Sequence, residues 1–301
     1  MNRFRNTRSD YVFDGLVALL LIAIAIAVAY PLYFMIIASV SDPVYTNSGQ
    51  VLLYPKGFSL AGYQRVFRDS RLLTGYRNTI LYSFGFMALS LCLNVLAAYP
   101  LSNRSLVGRR LFSALFLIPM YFGGGLIPTY IVVRNIGMIN KPAIICILGA
   151  MSAFYIIITR TFFENSIPPE LHESAAIDGA NQIQVFFRIV LPLAKPILAV
   201  LALYAFVQQW NAYFNAMMYL NDSKYYPLQL VLREILIMAQ SVRDSQTEVS
   251  IESLNELAQQ QKLADMIKYG VIVVSSAPLL AIFPFFQKYF AQGIMVGAVK
   301  G

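Results

Sequence analysis

Residues 15–38 run through 24 positions of Leu, Ile, Ala, Val and a few aromatics without one charged side chain. A helix of about 20 apolar residues spans a hydrocarbon layer roughly 30 Å thick. Comparable runs recur at 77–100, 111–133, 142–163, 197–220 and 269–290. Several runs of that length have no place in a soluble globule, and lipid tolerates only backbone whose hydrogen bonds close internally. The expectation is an all-α integral membrane protein with six transmembrane helices in one domain, 1–301. Composition agrees: hydrophobic residues make up 58% and charged residues 13%, about half the charged share of an ordinary soluble domain.

Arg3, Arg5 and Arg8 precede the first run. That run outlasts a signal-peptide core and no small-residue cleavage site follows, so it is expected to stay as the first span, kinked at Pro31. Cys92 and Cys146 lie inside apolar runs and are read as buried small hydrophobes. The net charge of +8 suits anionic lipid headgroups. Scattered basic residues without a recognition element argue against nucleic acid.

Between the spans, 39–76 reads as a polar loop holding a short surface helix around Leu60, Tyr63, Val66 and Phe67. Pro119, Gly123, Gly124, Gly125 and Pro128 break the third run. An interrupted helix belongs against protein or a water-lined cavity, as a fixed kink or a transport hinge. The stretch 221–268 reads as an insertion with amphipathic helices at 227–239 and 251–264. Orientation follows from short basic segments: the arm before Asp10 and the 101–110 link, with Arg104, Arg109 and Arg110, carry no acid and mark the cytosolic side. Both termini and the interval 165–196 then face the cytosol, and 221–268 faces outward.

The interval 165–196 is the one extended polar interruption in the middle of the chain. Pro168 and Pro169 open a short helix, Gly179 permits its end, and a second helix from Asn181 carries Ile183, Phe186, Phe187 and Val190 until Pro192 ends it. Helix, turn, helix held between two membrane segments suggests a docking knob. Nothing resembles a reaction centre, so no catalytic residue is expected. There is no GxxxxGK[ST] loop, and the only histidine, His172, has no cluster of metal ligands around it. No charged pair deep in the spans suggests an ion-driven carrier.

Glu173-Ser-Ala-Ala-Ile-Asp-Gly179, nine residues, then Ile189-Val-Leu-Pro192 resembles the EAA motif of permease subunits in bacterial ABC importers, with Ser174 replacing the first alanine. Tyr30-Pro-Leu-Tyr33, Ile37-Ala-Ser-Val-Ser-Asp-Pro43 and the ending Gly293-Ile-Met-Val-Gly-Ala-Val-Lys-Gly301 resemble the lipoprotein-linked and polysaccharide branch of its maltose-type carbohydrate subfamily, which includes alginate-type importers. The resemblance implies a type I importer permease fold in the bacterial inner membrane. It also implies a second homologous permease, two cytosolic ATPases that use ATP and magnesium, and an extracytoplasmic solute-binding protein. This chain would bind no cofactor or metal itself. The coupling helix would be seated in an ATPase groove. Glu173 would make a polar contact there, Ala175 would allow close approach, and Asp178 would stabilise the turn or the next helix's start. Gly179 would allow the bend, and Ile189, Leu191 and Pro192 would fix the return to the membrane.

Given an oligosaccharide cargo, Gln208, Gln209, Trp210, Asn211, Tyr213 and Asn215 are the candidate contacts, since amides bond hydroxyls and aromatic rings stack on sugars. The same residues also serve as glue between helices. Asn78 and Asn94 are weaker candidates. The same EAA geometry also occurs with peptide, phosphate or amino-acid cargo.

Overall fold

The computed structural model describes residues 8–244, 267–282 and 284–285. The sequence expectations for 251–264, for 293–301 and for the end of the sixth run fall outside them. The chain divides into two units, 1–69 with 235–277, and 70–234 with 278–301.

In the first unit, α1 (Arg8–Ser39) continues through Pro31. Its membrane-length portion, Asp10–Ser39, has a mean hydropathy of 2.7 and no buried residue in its most apolar window. A soluble protein would cover such a face, so this uncovered helix is the structural mark of membrane insertion. At its far end Ser39 Oγ lies 2.7 Å from Tyr63 Oη. The next turn is α2 (Pro43–Asn47), which the sequence reading missed. Its signal is local: Asp42 accepts from Val44 N at 2.9 Å, with Pro43 in the first turn. The expected surface helix is α3 (Ala61–Arg68), with Val66 buried and Phe67 exposed.

The second unit is built on α4 (Ser70–Ser102), the second helix of spanning length and hydropathy. Cys92 lies on an exposed face of α4, not in the interior as expected, while Cys146 is half-buried. An apolar neighbourhood in sequence does not distinguish lipid-facing from protein-facing positions.

The third run is broken where the sequence placed it. Helices α5 (Arg109–Tyr121) and α6 (Leu126–Asn135) meet at 113°. The fourth run is not one helix: α7 (Ala143–Ile147) stops before Gly149, whose φ is +80°, and α8 (Ala153–Ser166) restarts the chain. Asn94 fixes this gap. Its amide donates to Ala150 O at 2.8 Å and Ser90 O at 2.7 Å, and its oxygen accepts from Ser152 N at 2.8 Å. Asn94 is 1% exposed, so these bonds replace water for a deeply placed amide.

The organising interval follows as α9 (Pro169–Ile177), α10 (Gln182–Val185), a π turn at Phe186–Val190 and the single turn α11 (Leu191–Leu193). The second helical segment ends at Leu193, one residue past the expected Pro192. After a 77° bend comes α12 (Lys195–Trp210). The fifth run also breaks, at 211–213, before α13 (Phe214–Tyr219). The helix expected at 227–239 is longer, α14 (Leu228–Asp244), and α15 (Ile267–Ile282) is a shorter apolar helix. Among the described residues two helices are long and apolar enough to cross a membrane, or four if each bent pair counts as one.

One core of this unit joins Ala98 and Leu101 of α4, Phe163 of α8, Ala175 of α9, Phe186, and Leu201 of α12. Another surrounds Tyr82, Val133, Ile144 and Tyr219.

Candidate functional site

The corner between α8 and α12 is built from its caps outward. Pro168, at φ −60° and ψ 136°, turns the chain out of α8, and Pro169 starts α9 with a backbone already close to helical. α9 ends in a Schellman motif: Ala180 N donates to Ala175 O at 2.9 Å and Gly179 N to Ala176 O at 3.1 Å. Gly179 sits at φ +75°, a left-handed conformation that costs a residue with a Cβ about 1–2 kcal/mol. The next helix starts on a capping box. Gln184 N donates to Asn181 Oδ1 at 2.9 Å, and Asn181 N to Gln184 Oε1 at 2.9 Å. Asn181 caps the start of the next helix, and Asp178, expected at the turn or at that start, is the exposed C-cap of α9 within the turn.

Ala175 also has a different place from the one its resemblance implied. It is 6% exposed and packs in the core with Val185 and Phe186. The close approach it allows is between the two helices of the elbow. The outer face of α9 carries Glu170, Glu173, Ser174 and Ala176, together with Ile177, which is 87% exposed. Ile177 was not singled out in the sequence. Exposed Ile183 and Phe187 on the following segment add to the apolar surface, whereas Phe186 and Val190 of the same expected stripe point inward. Ile189 and Leu191 are half-buried and Pro192 is exposed. The return to α12 turns on Ala194, which is fully buried.

The elbow is tied to α4 as well as to α8. Tyr99 Oη lies 3.2 Å from Gln182 Oε1, and the Tyr99 ring sits 4.7 Å from that of Phe186 and 6.3 Å from that of Phe163. Several directions of packing thus hold one corner, so α9 moves with the helices behind it.

The polar candidates near the end of α12 divide into two groups. Trp210 is 1% exposed and stacks with Phe206 at 5.6 Å and edge-on with Tyr76 at 5.8 Å. Gln209 is buried too, and the amide of Asn78 holds the chain at Lys224 O (2.8 Å) and Tyr226 O (3.0 Å). Those residues, like Asn94, spend their polarity or their faces on the protein itself. Gln208, Asn211 and Tyr213 are exposed and Asn215 is half-exposed. Gln208 accepts from Tyr155 Oη at 3.0 Å, and Asn211 Nδ2 bonds Val207 O at 2.9 Å. The Arg233 guanidinium lies 5.3 Å from the Tyr213 ring centre, a contact between residues 20 apart that no local pattern announces.

Among the described residues no group of three His, Cys, Asp or Glu side chains could hold a metal. The arrangement offers docking and hydrogen bonding.

Comparison with known proteins supplies the family. Residues 90–296 match the family described as "Binding-protein-dependent transport system inner membrane component". The chain is 35% identical to protein LplC of Bacillus subtilis over 301 residues, covering 100% of this chain and 99% of that one. It is 36% identical to the B. subtilis polygalacturonan/rhamnogalacturonan transport system permease protein YtcP, covering 96% and 99% of the two chains. A solved chain of a bacterial ABC transporter involved in the import of the acidic polysaccharide alginate superposes with a TM-score of 0.83 at 33% identity, covering 96% of this chain and all of that one. With a family match over residues 90–296 and relatives 35% and 36% identical over nearly their whole lengths, this chain belongs to the inner-membrane permease components of binding-protein-dependent ABC importers.

Proposed function

We propose that this permease forms half of a sugar pathway, with six spans and both termini in the cytosol, and that α9 is its docking point for an ATPase subunit. The observation that carries the reading is the outer face of α9. Glu170, Glu173 and Ile177 project from a short helix whose inner residue, Ala175, is locked into the core. A partner groove takes the apolar tip, and its cationic groups take the acids. Glu173 and Ser174 contact that groove; Ala175, Asp178 and Gly179 shape the helix end, and Ile189, Leu191 and Pro192 fix its return. A second homologous permease completes the channel, a solute-binding protein delivers cargo outside, and the 221–268 insertion meets it there. ATP binding closes the ATPase pair and drives the elbow, which switches the permeases between inward-facing and outward-facing states.

Glu173→Arg tests the dock. The complex loses its ATPase and transport falls at least tenfold, while the permease pair still assembles, because the Glu173 side chain is exposed on the outer face of α9. Co-purification of ATPase at the wild-type level would overturn the assignment. Uptake that runs on an ion gradient without ATP would instead make the protein a secondary carrier.

The cargo we propose is an oligosaccharide, and specifically a fragment of an acidic polysaccharide. Relatives whose names specify polygalacturonan and alginate support it. So does Arg233, a cation held against the ring of Tyr213, which lies between Asn211 and Asn215 in the chain. A guanidinium binds a uronate carboxylate through two N–H donors. In proteoliposomes with the cognate binding protein, Arg233→Gln lowers uptake of oligogalacturonate more than uptake of a neutral maltodextrin. An equal loss of both removes the acidic reading, and transport of short peptides alone removes the sugar.

A further inference from the structure

Glu164 sits in the last turn of α8, three residues before the buried corner residue Ile167 and five before the start of α9. Two arginines from different elements converge on it. Arg109, in the first turn of α5, donates from Nη2 to Glu164 Oε1, and its Nε donates to Leu101 O in the last turn of α4 at 2.8 Å. Arg160, one turn earlier on α8, has its Nε 3.3 Å from the same Oε1 and its Nη1 bonded to Ser113 Oγ of α5 at 3.3 Å. That Arg160 Nε is enclosed yet makes no hydrogen bond in this arrangement. Beside it, Ser113, Phe116, Ile156 and Arg160 border a cavity of about 20 Å³, room for roughly one water.

The packing around this cluster explains why it matters. α5 has no fully buried residue, and its Phe116 is only partly buried against the core. Its N-terminal end is held by directional polar bonds as well. The Arg160 Nε already faces the carboxylate at 3.3 Å without a hydrogen bond to it, so a small shift gives a second arrangement in which Arg160 takes the carboxylate fully and Arg109 releases it. Two discrete arrangements of one acceptor are what transmission between distant sites requires.

The geometry points to Glu164 as a two-position latch that passes the movement of the α9 elbow to the broken α5–α6 arm. Glu164 is thus a positioning residue for transport, and the inference rests on α9 being the ATPase dock. When α9 is displaced, the end of α8 turns with it, Glu164 exchanges Arg109 for Arg160, and α5 is freed. Without the carboxylate the two arginines face each other uncompensated and the arm is no longer set by the elbow.

The test uses the full complex, with both permeases and both ATPases, in lipid nanodiscs with its binding protein. Glu164→Gln assembles, keeps basal ATP hydrolysis within twofold, and lowers the ratio of cargo-stimulated to basal hydrolysis at least fivefold. Reversing the pair, Arg109→Glu with Glu164→Arg, re-forms only the first position, because Arg160 repels an arginine at 164, so the ratio stays low. Recovery of half the wild-type ratio or more overturns the latch in favour of a static tie. An assembled Glu164→Gln complex with the wild-type ratio overturns the latch. If Glu164→Gln does not assemble, Arg109→Gln removes the same bond from the α5 side. Loss of stimulation there supports the latch, and a wild-type ratio or a second failure to assemble overturns it in favour of a purely structural tie. A wild-type complex whose hydrolysis does not respond to loaded binding protein would sink the importer reading itself, a separate result.

Discussion

Two bent helix pairs in this chain look alike in outline and differ in every supporting contact. The pair 182–193 and 195–210 bends by 77° at Ala194, which is fully buried among residues from α4, α8 and α9. The pair 109–121 and 126–135 bends by 113° across Phe122–Gly125. There Phe122 is exposed, and a Cβ added at Gly123 or Gly124 would meet nothing within 4 Å. The first bend is set by packing, which suits the coupling role proposed for the elbow. Among the described residues the second is open at Gly123 and Gly124, which suits a hinge better than a fixed kink. A break in a membrane helix is therefore a strut or a hinge according to what surrounds it, not according to the proline and glycine that cause it.

The largest test of the contrast is on the packed side. Asn94→Leu removes the bonds that close the gap before α8 and leaves Ala150 O and Ser152 N without them, which costs about 3 kcal/mol. Thermal unfolding of the permease complex in nanodiscs should fall accordingly, and no change would show that the gap is closed without Asn94. Ala175→Leu comes next. Overfilling the elbow's inner face costs about 2 kcal/mol and weakens ATPase retention, although residue 175 itself is not exposed. Retention at the wild-type level would mean that the elbow tolerates repacking.

On the jointed side the effects are smaller. Gly125→Ala strains a residue at φ +84° and ψ 169°, a region nearly closed to residues with a Cβ, by about 1–2 kcal/mol. Gly124→Ala, in open space, stabilises by about 0.5 kcal/mol through the unfolded chain while slowing transport by stiffening the joint. Equal penalties at Gly124 and Ala175 would erase the distinction between the two bends.

The smallest effect is electrostatic, at the exposed Asp222–Lys224 pair. The side-chain hydrogen bond from Lys224 holds the Asp222 carboxyl below its ordinary value of 3.8 and holds the Lys224 ammonium above 10.5. A carboxylate lowered on folding adds stability above its unfolded pKa and loses it as pH falls through the folded value. A raised lysine loses its contribution as pH climbs past its folded value. Between those limits the pair is constant, so Asp222→Asn should leave the unfolding midpoint slightly lower at neutral pH and the difference should vanish in strong acid. A difference that persists in strong acid would show that the pair is not its source.

Much of the molecule was legible in the chain itself. The uncharged run at 15–38 requires a membrane, the spacing from Glu173 to Pro192 marks the elbow, and Gly123–Gly125 with Pro119 and Pro128 locates the break in the third run. These are local signals, written in consecutive residues. The tertiary structure alone decided that Ala175 turns inward and Ile177 outward, and that Asn94 closes the gap between α7 and α8. It alone brought Arg109 to Glu164 across 55 positions. The physical reason is that an apolar side chain satisfies lipid and protein interior equally well, so in a membrane chain hydrophobic pattern stops reporting which face is buried. What then fixes the fold is polar pairing between distant residues, and no window of sequence contains both partners.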